Sequence, residues 1–321
     1  MNYKVLVSTK DLSREEWRRR RQGLLGGSDA PGLLLDSRES FSSPLKVFLD
    51  KTTPIQEGEE DIDNEAMRQG RDLEEYCASR FEEATKRKVR RVNAIIQHAD
   101  FDFIGGDLDR RVDGEDAILE CKTTKSTNAK LYESWETVPA RHKIQCHHYL
   151  LATGASNCYL AVLILGVGFK YFIIERDEEL LNMMLEAEKK FWNEHVLTGT
   201  PPPFDGSQAG DDILKAKYPG HEPGAMVELP ADTAKQTKDY LEYLSLIKDL
   251  TAKADTIKQG LLDRIGEAEY GTVGGEVVAR RIWVSGRESV DTKRLKAEKP
   301  EIYQAYTKSG SGYARLEVKE G

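Results

Sequence analysis

The run CYLAVLILGV at residues 158–167 limits the folds open to this chain more than any other stretch. It is continuous, apolar and of strand length, as a strand covered on both faces must be. Such a strand needs layers packed over both sides of its sheet. Residues 170–174 read as its neighbour. Residues 177–196 read as an amphipathic helix whose Leu, Met, Phe and Trp side chains pack rather than hold a cofactor.

Residues 101–124, FDFIGGDLDRRVDGEDAILECKTT, add chemistry to that sheet. Asp113-Gly114 is a turn signal and residues 118–122 have strand bias, so Asp109, Glu120 and Lys122 fall on one β-hairpin. Strand side chains alternate faces, which puts Glu120 and Lys122 on the same side, roughly 6–7 Å apart. Two carboxylates and an ammonium converging at a sheet end can hold a divalent cation through hard oxygen ligands, with the ammonium beside water or phosphate. This is a nuclease signature. The Glu-x-Lys triplet alone is not specific, since it recurs at Glu188-x-Lys190 and Glu317-x-Lys319; the Asp-bearing hairpin upstream sets Glu120-x-Lys122 apart.

Ser13 and Glu16 form a capping box, so a helix starts there and carries Trp17 and the arginines at 18–21 as far as Gly23. In the GLLGGSDAPGLL that follows, Gly26 and Gly27 make a turn, Ser28 reads as an N-cap and Pro31 lies in the first turn of a short helix. A helix N-terminus suits a phosphate, and equally a Ser there simply caps. A helix over about residues 64–85 places Met67, Gly70, Glu74, Cys77 and Phe81 at steps of three and four, a core-facing stripe. Glu74 is then an acid on an apolar face and needs a cation, a metal or hydrogen-bond donors; an arginine partner serves as well as a metal. Residues 88–97 and 101–104 read as strands leading into the hairpin. After Pro139, ARHKIQCHHYLLATG reads as a helix presenting Gln145, His147 and His148 and ending at Gly154. Adjacent histidines leave a helix in different directions and cannot form an i, i+4 metal pair.

The formal charge of -8 argues against a surface coated for nucleic acid, but positive charge concentrates at residues 18–21 and 86–91. A nuclease that advances along its substrate can confine basic charge to a channel, although most such runs are solvated helix faces. No run of 18 apolar residues occurs and the N-terminus lacks a signal-peptide core, so a cytoplasmic location (bacterial or phage-infected host) is expected, away from membranes. The four cysteines, Cys77, Cys121, Cys146 and Cys158, have no C-x-x-C spacing and are expected as reduced thiols.

The prolines at 201–203 mark a boundary: residues 1–200 form the main domain, 201–228 a linker and 229–321 a helix-rich accessory segment with short strands. Residues 52–63 read as an acidic surface loop. Within 231–269, Tyr243, Ile247, Leu250, Ala254, Ile257 and Leu261 keep near-heptad spacing, which suits a helical hairpin or a coiled contact. Residues 275–284 and 313–318 read as strands.

Together these residues resemble the lambda-exonuclease-like, YqaJ-type viral recombinases, a branch of the PD-(D/E)XK nucleases, over roughly residues 15–179. The resemblance implies an α/β fold, a PD-(D/E)XK (restriction-endonuclease-like) core with a central mixed sheet flanked by helices, in which Asp109, Glu120 and Lys122 are catalytic. Leu108 stands where the motif's name has Pro. It implies metal ligation by Asp109, Glu120, the Cys121 backbone carbonyl and Glu74, the last from the helix bearing MRQGRDLE, and a 5′-phosphate pocket formed by Arg21 and Ser28. Residues 144–154 are similar to the family's Q-x-Q…TG helix, with Gln145 as a catalytic residue. Gln145-Cys-His147 replaces Q-x-Q, which leaves open whether Gln145 or His147 faces the site. The implied activity is that of a Mg²⁺-dependent exonuclease, with one or two ions and Mn²⁺ as a substitute, in which Lys122 orients or deprotonates the attacking water. It would act 5′-to-3′ on linear double-stranded DNA in phage-type recombination by single-strand annealing. A single-strand annealing protein as partner and a ring-like trimer as assembly come with the same resemblance. An endonuclease with this core and an inactive nuclease-fold DNA-binding protein are the other readings. The Arg21/Ser28 pocket favours an end-reader, and the intact Asp/Glu/Lys trio favours an active enzyme.

Overall fold

The computed structural model describes residues 1–40, 42–55, 64–286, 288–308 and 315–318. The chain divides into two compact units, Met1–Leu214 and Lys215–Gly321.

The first unit opens with β1 (Tyr3–Ser8) and α1 (Arg14–Gln22). Ser13 caps α1 by accepting a hydrogen bond from the Glu16 amide at 3.1 Å, as the capping box predicts. The short helices α2 (Ala30–Leu34), α3 (Ser37–Ser40) and α4 (Pro44–Thr52) follow, and then α5 (Glu65–Thr85), capped by Asn64. The expected strand at 88–97 is two strands, β2 (Val89–Arg91) and β3 (Ala94–His98), broken at Asn93 with φ 49°. They join different sheets, because the left-handed residue turns the chain between them. The expected strand at 101–104 is a turn plus a bridge from Ile104 to Leu25, and regular pairing starts only at β4 (Gly105–Asp107). There β4 lies so close to β3 that a Cβ on Gly105 would stand 2.1 Å from the Ile96 carbonyl oxygen.

The main sheet holds β5 (Arg110–Val112), β6 (Ala117–Thr124), β7 (Asn157–Ile164) and β8 (Gly168–Glu175) in the order β2-β5-β6-β7-β8. β5 and β6 are the antiparallel hairpin, turning at Gly114 with φ 75°. β6 crosses over through α6 (Ala140–Thr153) to pair in parallel with β7, and β8 returns antiparallel. Residues 158–164 of β7 are all buried. The last three residues of the apolar run instead form the turn into β8, with Gly166 at φ 74°.

Side-chain alternation distributes the run between two layers. Tyr159, Ala161 and Leu163, with Leu119 of β6, pack beneath Cys77, Ala78 and Phe81 of α5. Cys158, Leu160, Val162 and Ile164, with Ile118, join the core built with α6 and α7 (Glu178–Phe191). Each large apolar side chain buried this way contributes about 1.5–3 kcal/mol. The α5 stripe is buried only in its C-terminal part, where the helix covers β6 and β7; Met67 is 43% exposed. The first unit runs on past the prolines: Ser43 Oγ donates to Ser207 Oγ at 3.1 Å, just before α8 (Gln208–Lys217).

In the second unit, α9 (Thr233–Ile265) is one continuous helix that buries none of its residues, not a helical hairpin. β9 (Tyr270–Val273) and β10 (Glu276–Arg280) pair antiparallel, and α10 (Thr292–Glu298) and α11 (Pro300–Tyr306) follow. The strand expected at 275–284 stops at Arg280, and residues 315–318 are not a strand. Residues 313–314 of that expected strand and 56–63 of the expected acidic loop lie outside the described residues. Among the described residues no helix is long and apolar enough to cross a membrane.

Candidate active site

The β5–β6 hairpin brings the two acids together. Asp109 immediately precedes β5, and its Oδ2 accepts a hydrogen bond from the Cys121 amide at 2.8 Å. Glu120 is buried on β6, and its Oε1 accepts from Lys122 Nζ at 2.6 Å, the contact that period-two alternation allows. Burial pushes the Asp109 carboxyl well above the usual carboxylate range, and the charges of Glu120 and Glu74 push it further. Burial would lower Lys122, but the Glu120 carboxylate beside it outweighs that and holds the ammonium's pKa up.

Glu74 reaches the same region from α5 and pairs with Arg110 Nη1. Arg110 is 3% exposed. Its guanidinium also donates to Glu75 Oε2 at 3.0 Å and to the Asp109 carbonyl at 2.7 Å. The arginine partner for Glu74 is therefore real, and it ties α5 to the residue that carries the central carboxylate.

From α6, Gln145 Nε2 donates to Glu120 Oε1 at 2.8 Å. His147 turns back on its own helix, its Nδ1 2.8 Å from the Lys143 carbonyl, so Gln145 is the one that faces Glu120. His148 is fully buried between Glu188 Oε1 and the Gly105 carbonyl, each 2.9 Å from a ring nitrogen. Burial opposes its charge, but Glu188 more than compensates and raises its pKa. The Glu188 of the second Glu-x-Lys triplet is thus an internal ion-pair partner. Two further α6 residues belong to the site. His142 is held neutral, pushed down to about 3 by burial and the Lys122 charge. Tyr149 lies 3.5 Å from Gln145 Nε2 and against Gly27, where a Cβ would come within 2.6 Å of its ring.

The Arg21 region is the second part. Arg21 Nη2 donates to Ser28 Oγ at 2.9 Å. The N-cap of α2 is Asp29, not Ser28. The Asp29 carboxylate accepts from the Gly26 amide at 2.8 Å and from Lys51 Nζ at 2.6 Å. Burial raises the Asp29 carboxyl, but Lys51 and Arg21 bring it below the usual range. With five residues and an acid at its start, α2 offers no helix-end charge of its own. Any anion site here rests on the Arg21 and Ser28 side chains. Trp17, one turn before Arg21, lies under the Arg21 guanidinium with 4.5 Å to the ring centre, and its Nε1 donates to Asp107 Oδ2 at 2.7 Å. Burial raises the Asp107 carboxyl against the lowering effect of Arg21.

Trp17, Asp107, His142 and Tyr149 were all missed in the sequence. Three stand one helical turn from a residue that was found, Trp17 from Arg21 and His142 and Tyr149 from Gln145, and Asp107 lies two residues before Asp109 at the end of β4.

Among the described residues no three His, Cys, Asp or Glu side chains form a preassembled metal cluster, since Glu120 and Glu74 are engaged by Lys122, Gln145 and Arg110. The donor chemistry still suits a hard cation. Asp109 and Glu120 offer carboxylate oxygens, and burial together with the Glu120 and Glu74 charges disfavours the ionised Asp109 that a cation would stabilise. All four cysteines are free thiols.

The first unit is thus a mixed sheet flanked by helices that brings Asp109, Glu120 and Lys122 together at its β5–β6 hairpin. The family model described as YqaJ-like viral recombinase domain matches residues 16–156. "Uncharacterized protein YqaJ" of Bacillus subtilis (strain 168) is 36% identical over 320 residues, 98% of this chain and 97% of that one. The chain belongs to the YqaJ-like viral recombinase family. Among solved structures, an alkaline exonuclease from Laribacter hongkongensis is 20% identical and covers 63% of this chain and 97% of its own, with a TM-score of 0.47. A phage-related exonuclease from Haemophilus somnus 129PT is 13% identical over 55% of this chain and 96% of its own, with a TM-score of 0.41.

Proposed function

We propose that this protein is a metal-dependent deoxyribonuclease that digests linear duplex DNA from 5′ ends, 5′-to-3′, in phage-type recombination by single-strand annealing. The observation that carries the reading is Glu120, buried and gripped by both Lys122 and Gln145 beside Asp109. Its two donors come from β6 and α6 and fix the carboxylate next to a second acid.

Asp109, Glu120, the Cys121 carbonyl and Glu74 would hold one or two Mg²⁺ or Mn²⁺ ions. Such an ion supplies Lewis acidity toward the scissile phosphate and lowers the pKa of bound water. Lys122, kept charged by Glu120, donates to the attacking water or a phosphate oxygen and opposes the negative charge that builds in the transition state. Gln145 fixes the Glu120 carboxylate, and Arg110 limits the repulsion between Glu74 and Asp109. Arg21 and Ser28 bind the 5′-terminal phosphate, and Trp17 fixes the plane of the guanidinium.

A cytoplasmic enzyme that assembles as a ring-like trimer and hands its single strand to an annealing protein completes the proposal, with the unit Met1–Leu214 as the nuclease domain and residues 229–321 as the accessory segment. Digestion of linear against closed circular duplex, with and without Mg²⁺, tests it. Mg²⁺-dependent loss of the linear form alone is expected. Cutting of the circle would make the protein an endonuclease, and binding without cutting would make it an inactive nuclease-fold protein.

A further inference from the structure

Arg21 does not stand alone in its pocket. Its Nε is 3.9 Å from Asp107 Oδ2, the oxygen that also accepts from the Trp17 indole. Arg21 Nη2 is occupied by Ser28 Oγ. Two of the buried side-chain atoms without a hydrogen-bond partner among the described residues belong to this pair, Arg21 Nε and Asp107 Oδ1. One is a donor and the other an acceptor. At 3.9 Å the Arg21–Asp107 contact is too long for a hydrogen bond, so the two groups meet by charge alone.

A neutral 5′-hydroxyl can enter beside this ion pair without meeting a like charge. A fully ionised terminal phosphate has acceptors only, and it brings its charge toward Asp107 as well as Arg21. The same carboxylate neutralises part of the guanidinium charge that would draw the phosphate in.

We infer that Asp107 is a specificity-determining residue of the end pocket, admitting a 5′-hydroxyl end alongside a 5′-phosphate end by opposing Arg21. This rests on the reading of Arg21 and Ser28 as the site of the 5′ end. Asp107→Asn removes the charge and keeps an oxygen for the Trp17 indole. Digestion rates of 5′-phosphorylated and 5′-hydroxyl linear duplexes, measured for wild type, Asp107→Asn and Arg21→Ala, decide the matter. Asp107→Asn is expected to raise the phosphate-to-hydroxyl rate ratio about 5- to 50-fold, the scale of deleting one partly screened like charge beside an anion. An unchanged or lower ratio overturns the role of Asp107. Arg21→Ala tells this failure from that of the pocket: a selective loss on phosphorylated ends leaves the pocket standing, whereas equal losses on both ends remove the pocket and Asp107 with it. If Asp107→Asn does not fold, Asp107→Ser is expected to raise the same ratio, and an unchanged or lower ratio in that variant overturns the role equally.

Discussion

Gln145 Nε2 donates to Glu120 Oε1 at 2.8 Å, a contact between the crossover helix and the central hairpin that spans 25 residues of sequence. It makes the amide a positioning group for the carboxylate. Gln145→Ala should lower the cleavage rate and the apparent Mg²⁺ affinity by about 10- to 100-fold, as loss of a partner behind a metal ligand does. A metal titration of the rate checks this; a slower enzyme with unaltered Mg²⁺ dependence would place Gln145 outside the metal site.

Asp109 sits where burial and two other acids disfavour its charge. Asp109→Asn should abolish cleavage, as should Glu120→Ala and Lys122→Ala, each by roughly a thousandfold or more. In metal-free protein the same Asp109→Asn change should raise the melting temperature at neutral pH, because it removes a carboxylate that is costlier in the folded state than in the unfolded one. Thermal melts with and without Mg²⁺ test the trade: a variant less stable than wild type without metal would contradict it.

Arg110 bonds Glu74, Glu75 and the Asp109 carbonyl at once. Glu74→Gln leaves the other two contacts in place, so it should weaken metal binding with little loss of stability. Arg110→Met strands Glu74 beside Asp109 and should cost about 3–5 kcal/mol. If Glu74→Gln instead unfolds the protein while residual activity keeps its Mg²⁺ dependence, Glu74 is a structural partner of Arg110 and nothing more.

For Arg21, the expected result of Arg21→Ala is a rate on 5′-phosphorylated duplex lower by roughly 10- to 100-fold, matching about 1.5–3 kcal/mol of charged hydrogen bonding. The rate on 5′-hydroxyl duplex should change much less. A general basic patch would lose on both substrates alike, and the loss would shrink as salt is raised.

The His148–Glu188 pair is fully buried and raises the His148 pKa above its ordinary 6.5. A raised histidine contributes stability that is complete below the unfolded value and is lost as pH climbs through the folded one. The melting-temperature gap between wild type and His148→Gln should therefore be widest below the ordinary histidine range and should narrow as pH rises above it. A gap that widens with pH would show a neutral histidine holding this contact.

What the sequence determined by itself is local. The apolar run at 158–164, the period-two placement of Glu120 and Lys122, the Asp113-Gly114 turn and the Ser13 cap depend on chain geometry within one segment, and each is found where that geometry puts it. The tertiary structure decided the partners. Nothing near Glu74 in sequence names Arg110, which lies 36 residues on, and Trp17 meets Asp107 across 90 residues. The choice of Gln145 over His147, of Asp29 over Ser28 as the cap, and of Glu188 as the partner of a buried histidine has the same origin. Periodicity tells which face of a segment is covered. What stands opposite a buried charge is set by the order of strands in the sheet, and that order follows from how the two core layers close over β7.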